Sequence, residues 1–197
     1  MNITSIILAA GNSTRMGTDK ALLQIEGIAV VDMIVGKLQE FSSKIIIVTG
    51  ENHQNLEEHL FTQNVEFVNN PQPELGMFSS LKLALKADAL STYYLIHMID
   101  QPFIALDTYQ TLISAIDDQH QLFLPVLMSQ NRTGHPLIIS PQVGGRILNA
   151  SVSDNLSIII KSLPESIIKR IPVDDHNILD NINTPQELKD KLTEIGI

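Results

Sequence analysis

Alternation of short apolar runs with longer amphipathic stretches predicts an α/β protein, a mostly parallel sheet with helices on both faces. Three observations carry this. Runs such as Lys44–Thr49 are β-branched and continuous, as strands buried on both faces are. The stretches between such runs place apolar residues at helical spacing; after Val30 they fall at 31, 34, 35 and 38. The chain has 197 residues, 44% hydrophobic and 18% charged, enough for one domain (1–197) with a substantial core.

The elements follow in order. Ile3–Leu8 is the first strand, and residues 30–41 form the first helix. Lys44–Thr49 is the second strand, 56–61 a short helix and 65–68 the third strand. A helix over 79–89 turns Leu81, Ala84, Leu85 and Ala89 inward. The fourth strand spans 93–99, followed by a helix over 106–117. Leu122–Leu127, 136–139 and Ile168–Val173 are later strands, and 157–162 lies in a helix. The last helix, Pro185–Ile195, has Thr184 as N-cap, proline at its first position and Glu187 three residues after the cap. Residues 119–121 and 129–132 read as polar loops.

The formal net charge is −9, which disfavours a general nucleic-acid binder. There are no cysteines, so neither a disulfide framework nor a thiolate metal site forms. The N-terminus lacks a positively charged leader, and no apolar run reaches about 18 residues. A cytoplasmic protein with no membrane partner is expected.

In open α/β sheets, ligands bind beyond the carboxyl ends of the strands, so functional residues should follow strands. The sequence obeys this. Leu8-Ala9-Ala10-Gly11-Asn12-Ser13-Thr14-Arg15-Met16-Gly17-Thr18-Asp19-Lys20 follows the first strand. Small residues there let backbone N–H groups approach an anion, and Arg15 and Lys20 add two cations. Such a loop suits a polyphosphate. It is neither a Walker A loop nor a dinucleotide fingerprint. Asn69-Asn70-Pro71 follows the third strand and leads to Gly76 and to Ser79 and Ser80, either of which could cap the next helix. Asp100-Gln101-Pro102 closes the fourth strand. A lone carboxylate there can bind Mg²⁺ that also takes phosphate oxygens. Gly134-His135-Pro136 taken alone does not demand a function, a surface turn with a solvated histidine being the alternative to a functional one, whereas His97 inside an apolar strand is a satisfied core histidine.

The first loop resembles the L-A-A-G-x-S-x-R-M-G-x-x-K loop of the molybdenum cofactor cytidylyltransferase and guanylyltransferase-like nucleotidyltransferases, closest to the cytidylyltransferase branch. The resemblance runs from Ile3 to Leu188 through five motifs in the family's order. It implies a Rossmann-like fold of the nucleotide-diphospho-sugar transferase type. It implies nucleotide binding by Leu8, Ala9, Ala10, Gly11, Ser13, Arg15, Met16, Gly17 and Lys20, and by Asn70, Gly76 and Ser80 of the N-P-x-x-x-x-G-M-x-x-S-L stretch. Arg15, Lys20 and Asp100 become the catalytic set, with Asp100 on Mg²⁺ or Mn²⁺. In the D-I-D/N-T-P-E-D-L segment the second metal ligand is Asn181, through its amide oxygen, or Asp180. Gln101, Pro102, Gly134, His135, Pro136 and Asp154 fall on the acceptor side; the Gly-Ala-Arg that accompanies this Asp in the family is missing.

The implied reaction is Mg²⁺-dependent transfer of CMP from CTP to molybdopterin or its molybdenum-loaded form. Pyrophosphate leaves, and a molybdenum hydroxylase is the client of the product. The alternatives are GTP as donor, a sugar or alditol phosphate as acceptor, or a non-catalytic nucleotide-binding or cofactor-delivery protein.

Overall fold

The computed structural model describes residues 1–11, 16, 19–60, 64–88, 90–151 and 154–196. Strand β1 (Ile3–Leu8) is buried along its whole length, as a continuous apolar run between two helical layers must be. A two-stranded hairpin follows, β2 (Gln24–Ile25) and β3 (Ile28–Ala29). Glu26 and Gly27 turn it in the left-handed region, at φ 49° and 82°. Then come α1 (Val30–Leu38), β4 (Lys44–Thr49), α2 (His53–His59), β5 (Val65–Asn69) and α3 (Met77–Ala87). The second half holds β6 (Tyr93–Met98), α4 (Leu106–Ser114), β7 (Leu122–Leu127), β8 (Arg132–Thr133) and β9 (Leu137–Ile139). It ends with α5 (Pro141–Asn149), α6 (Leu156–Ser162), β10 (Ile168–Val173) and α7 (Pro185–Ile195).

The main sheet runs β10-β7-β9-β6-β1-β4-β5, with β8 paired to β7. Strand β1 lies parallel to both β4 and β6, with Leu8 opposite Val48 and Met98. Strand β9 is antiparallel to its neighbours β6 and β7, and the short β8 is antiparallel to β7. The α/β class, the mostly parallel sheet and the two helical layers are therefore as the sequence predicts. Alternate strand residues feed two cores. Ile7, Ile45, Ile47 and Leu95 pack with Ile34 and Leu38 of α1 and Tyr109 and Leu112 of α4. Ile6, Ile46, Val48 and Ile96 pack with Leu81 and Leu85 of α3, Val143 of α5 and Ile159 of α6.

Several boundaries move, each for a local reason. Helix α1 stops at Leu38, because Phe41 N and Ser42 N both turn back to Leu38 O. Helix α2 begins at His53 and ends at His59; Phe61 and Ala89, expected in helices, lie outside the described residues. Strand β5 extends to Asn69, which pairs with Thr49. Helix α3 starts at Met77 rather than 79. Gly76, at φ 85°, is its N-cap, so neither Ser79 nor Ser80 caps it. Ser79 Oγ instead donates to Gly76 O at 2.8 Å. Strand β6 ends at Met98, one residue before the expected Ile99. Helix α4 ends at Ser114, and the Asp117 carboxylate then collects Gln119 N and His120 N in a turn. Strand β9 begins at Leu137 rather than 136, and α6 at Leu156 rather than 157. Arg132, expected in a loop, pairs in β8 opposite Leu127.

Helix α5 and the β2–β3 hairpin were not expected. Gly144-Gly145 hides α5 from a propensity reading. A Cβ at Gly144 would come within 3.6 Å of Leu85 and 3.7 Å of Tyr94, so the small residue sets close packing against α3 and β6. Helix α7 has its expected capping box: Glu187 N donates to Thr184 Oγ1 and Thr184 N to Glu187 Oε2. Among the described residues no helix is long and apolar enough to cross a membrane.

Candidate active site

The parallel strands end at one edge, and the loops leaving that edge meet there. Beyond β1, Ala9 N donates to Val48 O at 2.8 Å, so Leu8, Ala9 and Ala10 continue against β4, all nearly fully buried. Gly11 has open space where a Cβ would stand, which leaves its backbone approachable. Ser13, Arg15 and Gly17 lie outside the described residues. Met16 is buried and lines a recess with Lys20, Ile99, Asp100, Pro102 and Ile182.

Lys20 opens a short 3-10 turn, Lys20–Leu22, which Asp19 caps by accepting from Ala21 N at 3.0 Å. Its Nζ donates to Asn183 Oδ1 at 2.7 Å and lies 4.0 Å from Asp100 Oδ2. These side chains are 17% (Lys20) and 15% (Asp100) exposed. Asp100 Oδ1 is buried and has no hydrogen-bond partner. Burial pushes the Asp100 carboxyl above its ordinary pKa, and the nearby Lys20 charge only partly offsets this. The backbone there is fixed too: Ile182 N donates to Asp100 O at 2.8 Å. That bond ties the segment before α7 to the end of β6.

An orphaned carboxylate oxygen beside an ammonium, inside a recess, fits a divalent cation that takes its other ligands from phosphate and water. Among the described residues no group of three His, Asp or Glu side chains could hold a metal. Asp100 is thus the carboxylate on which such a site would rest. Asp180 Oδ2 is held by Lys191 Nζ of α7 at 2.9 Å, and Asn181 is exposed. The side chain this segment delivers to Lys20 is Asn183.

The remaining predicted residues separate into groups. Asn70 is 2% exposed and its side chain is engaged internally. Its Nδ2 donates to Ser79 Oγ and Ser80 Oγ, both at 2.9 Å, and its Oδ1 accepts from Gln72 N. It braces the Gly76 turn against α3. Gln101, Gly134 and His135 gather around one carbonyl, Ile178 O, which accepts from Gln101 Nε2 at 3.1 Å and from His135 N at 3.0 Å. A Cβ on Gly134 would stand 2.0 Å from that oxygen, so only glycine fits. Gln101 is at this edge because it follows Asp100, and the reversal of β9 is what carries Gly134, His135 and Pro136 to the same edge. His135 is no solvated surface histidine: its Nε2 is buried without a partner. His97 is fully buried as expected but half satisfied. One ring nitrogen meets Tyr109 Oη at 2.7 Å, and Nδ1 has no partner. Asp154 is spent in its own turn, accepting from Ser151 N at 2.8 Å, and no described contact joins it to Asp100.

Asn52 was missed. Its Nδ2 donates to Ala9 O at 3.3 Å and to Asp19 Oδ1 at 3.2 Å, and its Oδ1 accepts from Gly50 N. It staples the two feet of the first loop. The edge rule could have found it, since it follows the end of β4 by three residues, where Asp100 follows the end of β6 by two.

A family profile described as a MobA-like NTP transferase domain matches residues 5–167. The molybdenum cofactor cytidylyltransferase of Escherichia coli (strain K12) is 28% identical over 197 residues, covering 98% of each chain. A probable molybdenum cofactor guanylyltransferase of Bacillus cytotoxicus is 24% identical over 202 residues, covering 98% of this chain and 97% of its own. Among solved structures, Rv0371c of Mycobacterium tuberculosis H37Rv superposes with a TM-score of 0.82 at 21% identity and 98% coverage of both chains. Its complex with manganese gives 0.78 at 20%, covering 98% of this chain and 99% of that one.

Two histidines withdrawn from water, His97 fully and His135 in part, make stability fall in mild acid. Burial lowers His97 to a pKa of about 3 and His135 to about 4. Both stay neutral in the fold while the unfolded chain takes up protons near pH 6.5. Their contribution is therefore complete above about pH 6.5 and lost as pH falls toward 4. Urea unfolding should show a loss of about 2–4 kcal/mol between pH 7 and pH 5. The double variant His97→Gln, His135→Gln should flatten that profile; an equally steep one in the variant would place the titrating groups elsewhere.

Proposed function

Because the chain belongs to the family of MobA-like NTP transferase domains, we propose that it is a nucleotidyltransferase of molybdenum cofactor biosynthesis. It transfers CMP from CTP to a molybdopterin-type acceptor and releases pyrophosphate. The observation that carries this reading is the meeting of Lys20 and Asp100, remote in sequence, across one recess at the carboxyl edge of the sheet.

The triphosphate lies along residues 8–20, where backbone amides, Arg15 and Lys20 meet it. A phosphate oxygen of the acceptor attacks the α-phosphorus in line. One P–O bond forms, the bond to the pyrophosphate oxygen breaks, and the pair of electrons leaves with pyrophosphate. A phosphomonoester is already mostly a dianion near pH 7, so no side chain need take a proton. Lys20 steadies charge on the leaving group. Asn183 holds the ammonium in place from the far side. Asp100 would hold a divalent cation, Mg²⁺ or Mn²⁺, which when bound would neutralise phosphate charge. The manganese complex of the structural neighbour supports a divalent metal. With Asp180 engaged by Lys191, Asn181 is the freer of the two candidates for a second ligand. Catalysis rests on positioning and charge. Gln101, Gly134, His135 and Pro136 border the acceptor side. The reaction takes place in the cytoplasm.

CTP is the donor we favour. Ala10 stands where guanylyltransferase relatives carry glycine. It narrows the space beside the base, and a pyrimidine needs less room than a purine. The relative named a cytidylyltransferase agrees with this. Asn181-Ile182-Asn183-Thr184-Pro185, a pattern common in guanylyltransferase relatives, favours GTP as the second reading.

Lys20→Ala should lower turnover about 10²–10³-fold, read as pyrophosphate release, with the fold intact by circular dichroism. Asp100→Asn should abolish metal-dependent turnover. Near wild-type rates in either variant would remove that residue from the mechanism. In competition between equal CTP and GTP, labelled product should favour cytidylyl transfer by roughly 10–200-fold, the range shape alone supplies. Ala10→Gly should narrow that ratio. A preference for GTP in the wild type would refute the cytidylyl assignment and leave nucleotidyl transfer standing.

A further inference from the structure

Residues 101–105 connect Asp100 to helix α4, and two charged groups grip this connection from opposite sides. From the last turn of α1, Lys37 Nζ donates to Pro102 O at 2.9 Å and to Ile104 O at 2.8 Å. Among the described residues no carboxylate lies within ion-pair distance of it. An ammonium half withdrawn from water, spending its donors on two carbonyls of one loop, is an expensive way to fill space. A methionine would fill it without that cost.

The other grip comes from Asp175, just beyond β10 and 8% exposed. Its Oδ2 accepts from Ala105 N and Thr108 Oγ1, both at 2.8 Å. Ala105 is the N-cap of α4 and has no side chain to cap with, so Asp175 caps the helix from outside. Its Oδ1 is fixed by Asn177, through N at 3.0 Å and Nδ2 at 2.9 Å. Lysine and aspartate do not touch, yet the lysine feels the aspartate through the loop: burial lowers the Lys37 pKa, and the Asp175 charge partly offsets this.

We infer that Lys37 and Asp175 are positioning residues: together they clamp residues 101–105 and thereby set the Asp100 carboxylate opposite Lys20. Lys37 stands on the helix that follows the phosphate loop and its hairpin, so the clamp ties that unit to the loop carrying Asp100. A loop held from one side alone lets Asp100 drift. An ångström of drift in a reacting array costs up to about a hundredfold in rate.

The catalytic part of this inference rests on the nucleotidyltransferase reading; the clamp itself does not. Two measurements on the full chain separate them. Hydrogen exchange followed by mass spectrometry reads peptides covering 100–108 in the wild type, Lys37→Met and Asp175→Asn. Exchange there should rise about tenfold in both variants, while peptides of β1 and β4 stay protected. Pyrophosphate release against Mg²⁺ concentration should show the half-saturating Mg²⁺ rising about tenfold. The KM for the nucleotide should stay within about twofold. A loss of folded protein lowers the plateau without moving the Mg²⁺ midpoint. Asp175→Asn keeps the side chain's shape, so it decides the matter if Lys37→Met folds poorly. Unchanged exchange over 100–108 in both variants overturns the clamp. Raised exchange with an unmoved Mg²⁺ midpoint overturns the positioning role. A wild type that releases no pyrophosphate with any NTP counts against the proposed function, and the exchange result still decides the clamp.

Discussion

The Oδ1 atom of Asp100 is buried and meets no donor, and Lys20, the nearest cation among the described residues, stands 4.0 Å from the other carboxylate oxygen. Burying a carboxylate without full compensation is unfavourable, and the raised pKa of Asp100 expresses that cost. A further positive charge at this point relieves it. The site is organised around that deficit. Asn183 restrains the Lys20 ammonium, the Ile182 amide fixes the Asp100 backbone, and the recess limits access of water.

The sheet makes this possible. Strands β1 and β6 are neighbours in register, with Leu8 opposite Met98, so the loops that leave them emerge side by side. Ala9 and Ala10 beyond β1 and the Asp100 loop beyond β6 are therefore adjacent although most of the chain's first half separates them. The reversed strand β9 has a different effect: it brings the entry to a strand, Gly134 to Pro136, to an edge otherwise made of strand exits. Strand β10 returns parallel beside β7 and releases Asp175 and the 180–183 segment at the same edge. Five stretches of chain converge there, and only small shifts separate a working array from a scattered one.

Much of this was legible beforehand. Largely apolar runs gave β1, β4 and β7 to the residue, because strands buried on both faces need them; the bounds of β10 were read as well, although it is an edge strand with Lys169 and Arg170 inside it and only Ile168 and Ile171 buried. The capping signals at Thr184, Pro185 and Glu187 placed α7 with the same accuracy. Helix α5 was hidden because its two glycines contradict helix propensity, and tertiary packing against Leu85 and Tyr94 overrides them. The direction of β9 was not written in its few residues; it is decided by which neighbours it joins. Within the site, Asp100 and Lys20 were readable from loop position and chemistry. Asn183 and Lys37 were not, and Asn52 was passed over although its place after β4 pointed to it. Each acts on another residue rather than on a ligand, and such roles depend on distances between segments remote in sequence. The surroundings of His135 were not legible for a related reason: the Ile178 carbonyl that its backbone N–H meets lies far along the chain.

Carbon-13 NMR of protein labelled at aspartate carboxyls tests the central claim most directly. In the wild type without metal, Asp100 should titrate above the ordinary aspartate value. Lys20→Ala should push that titration higher still, because the offsetting charge is gone, and Mg²⁺ with CTP should pull it down by competing with the proton. An Asp100 that titrates at the ordinary value, unmoved by loss of Lys20 and by Mg²⁺ with nucleotide, would contradict the account.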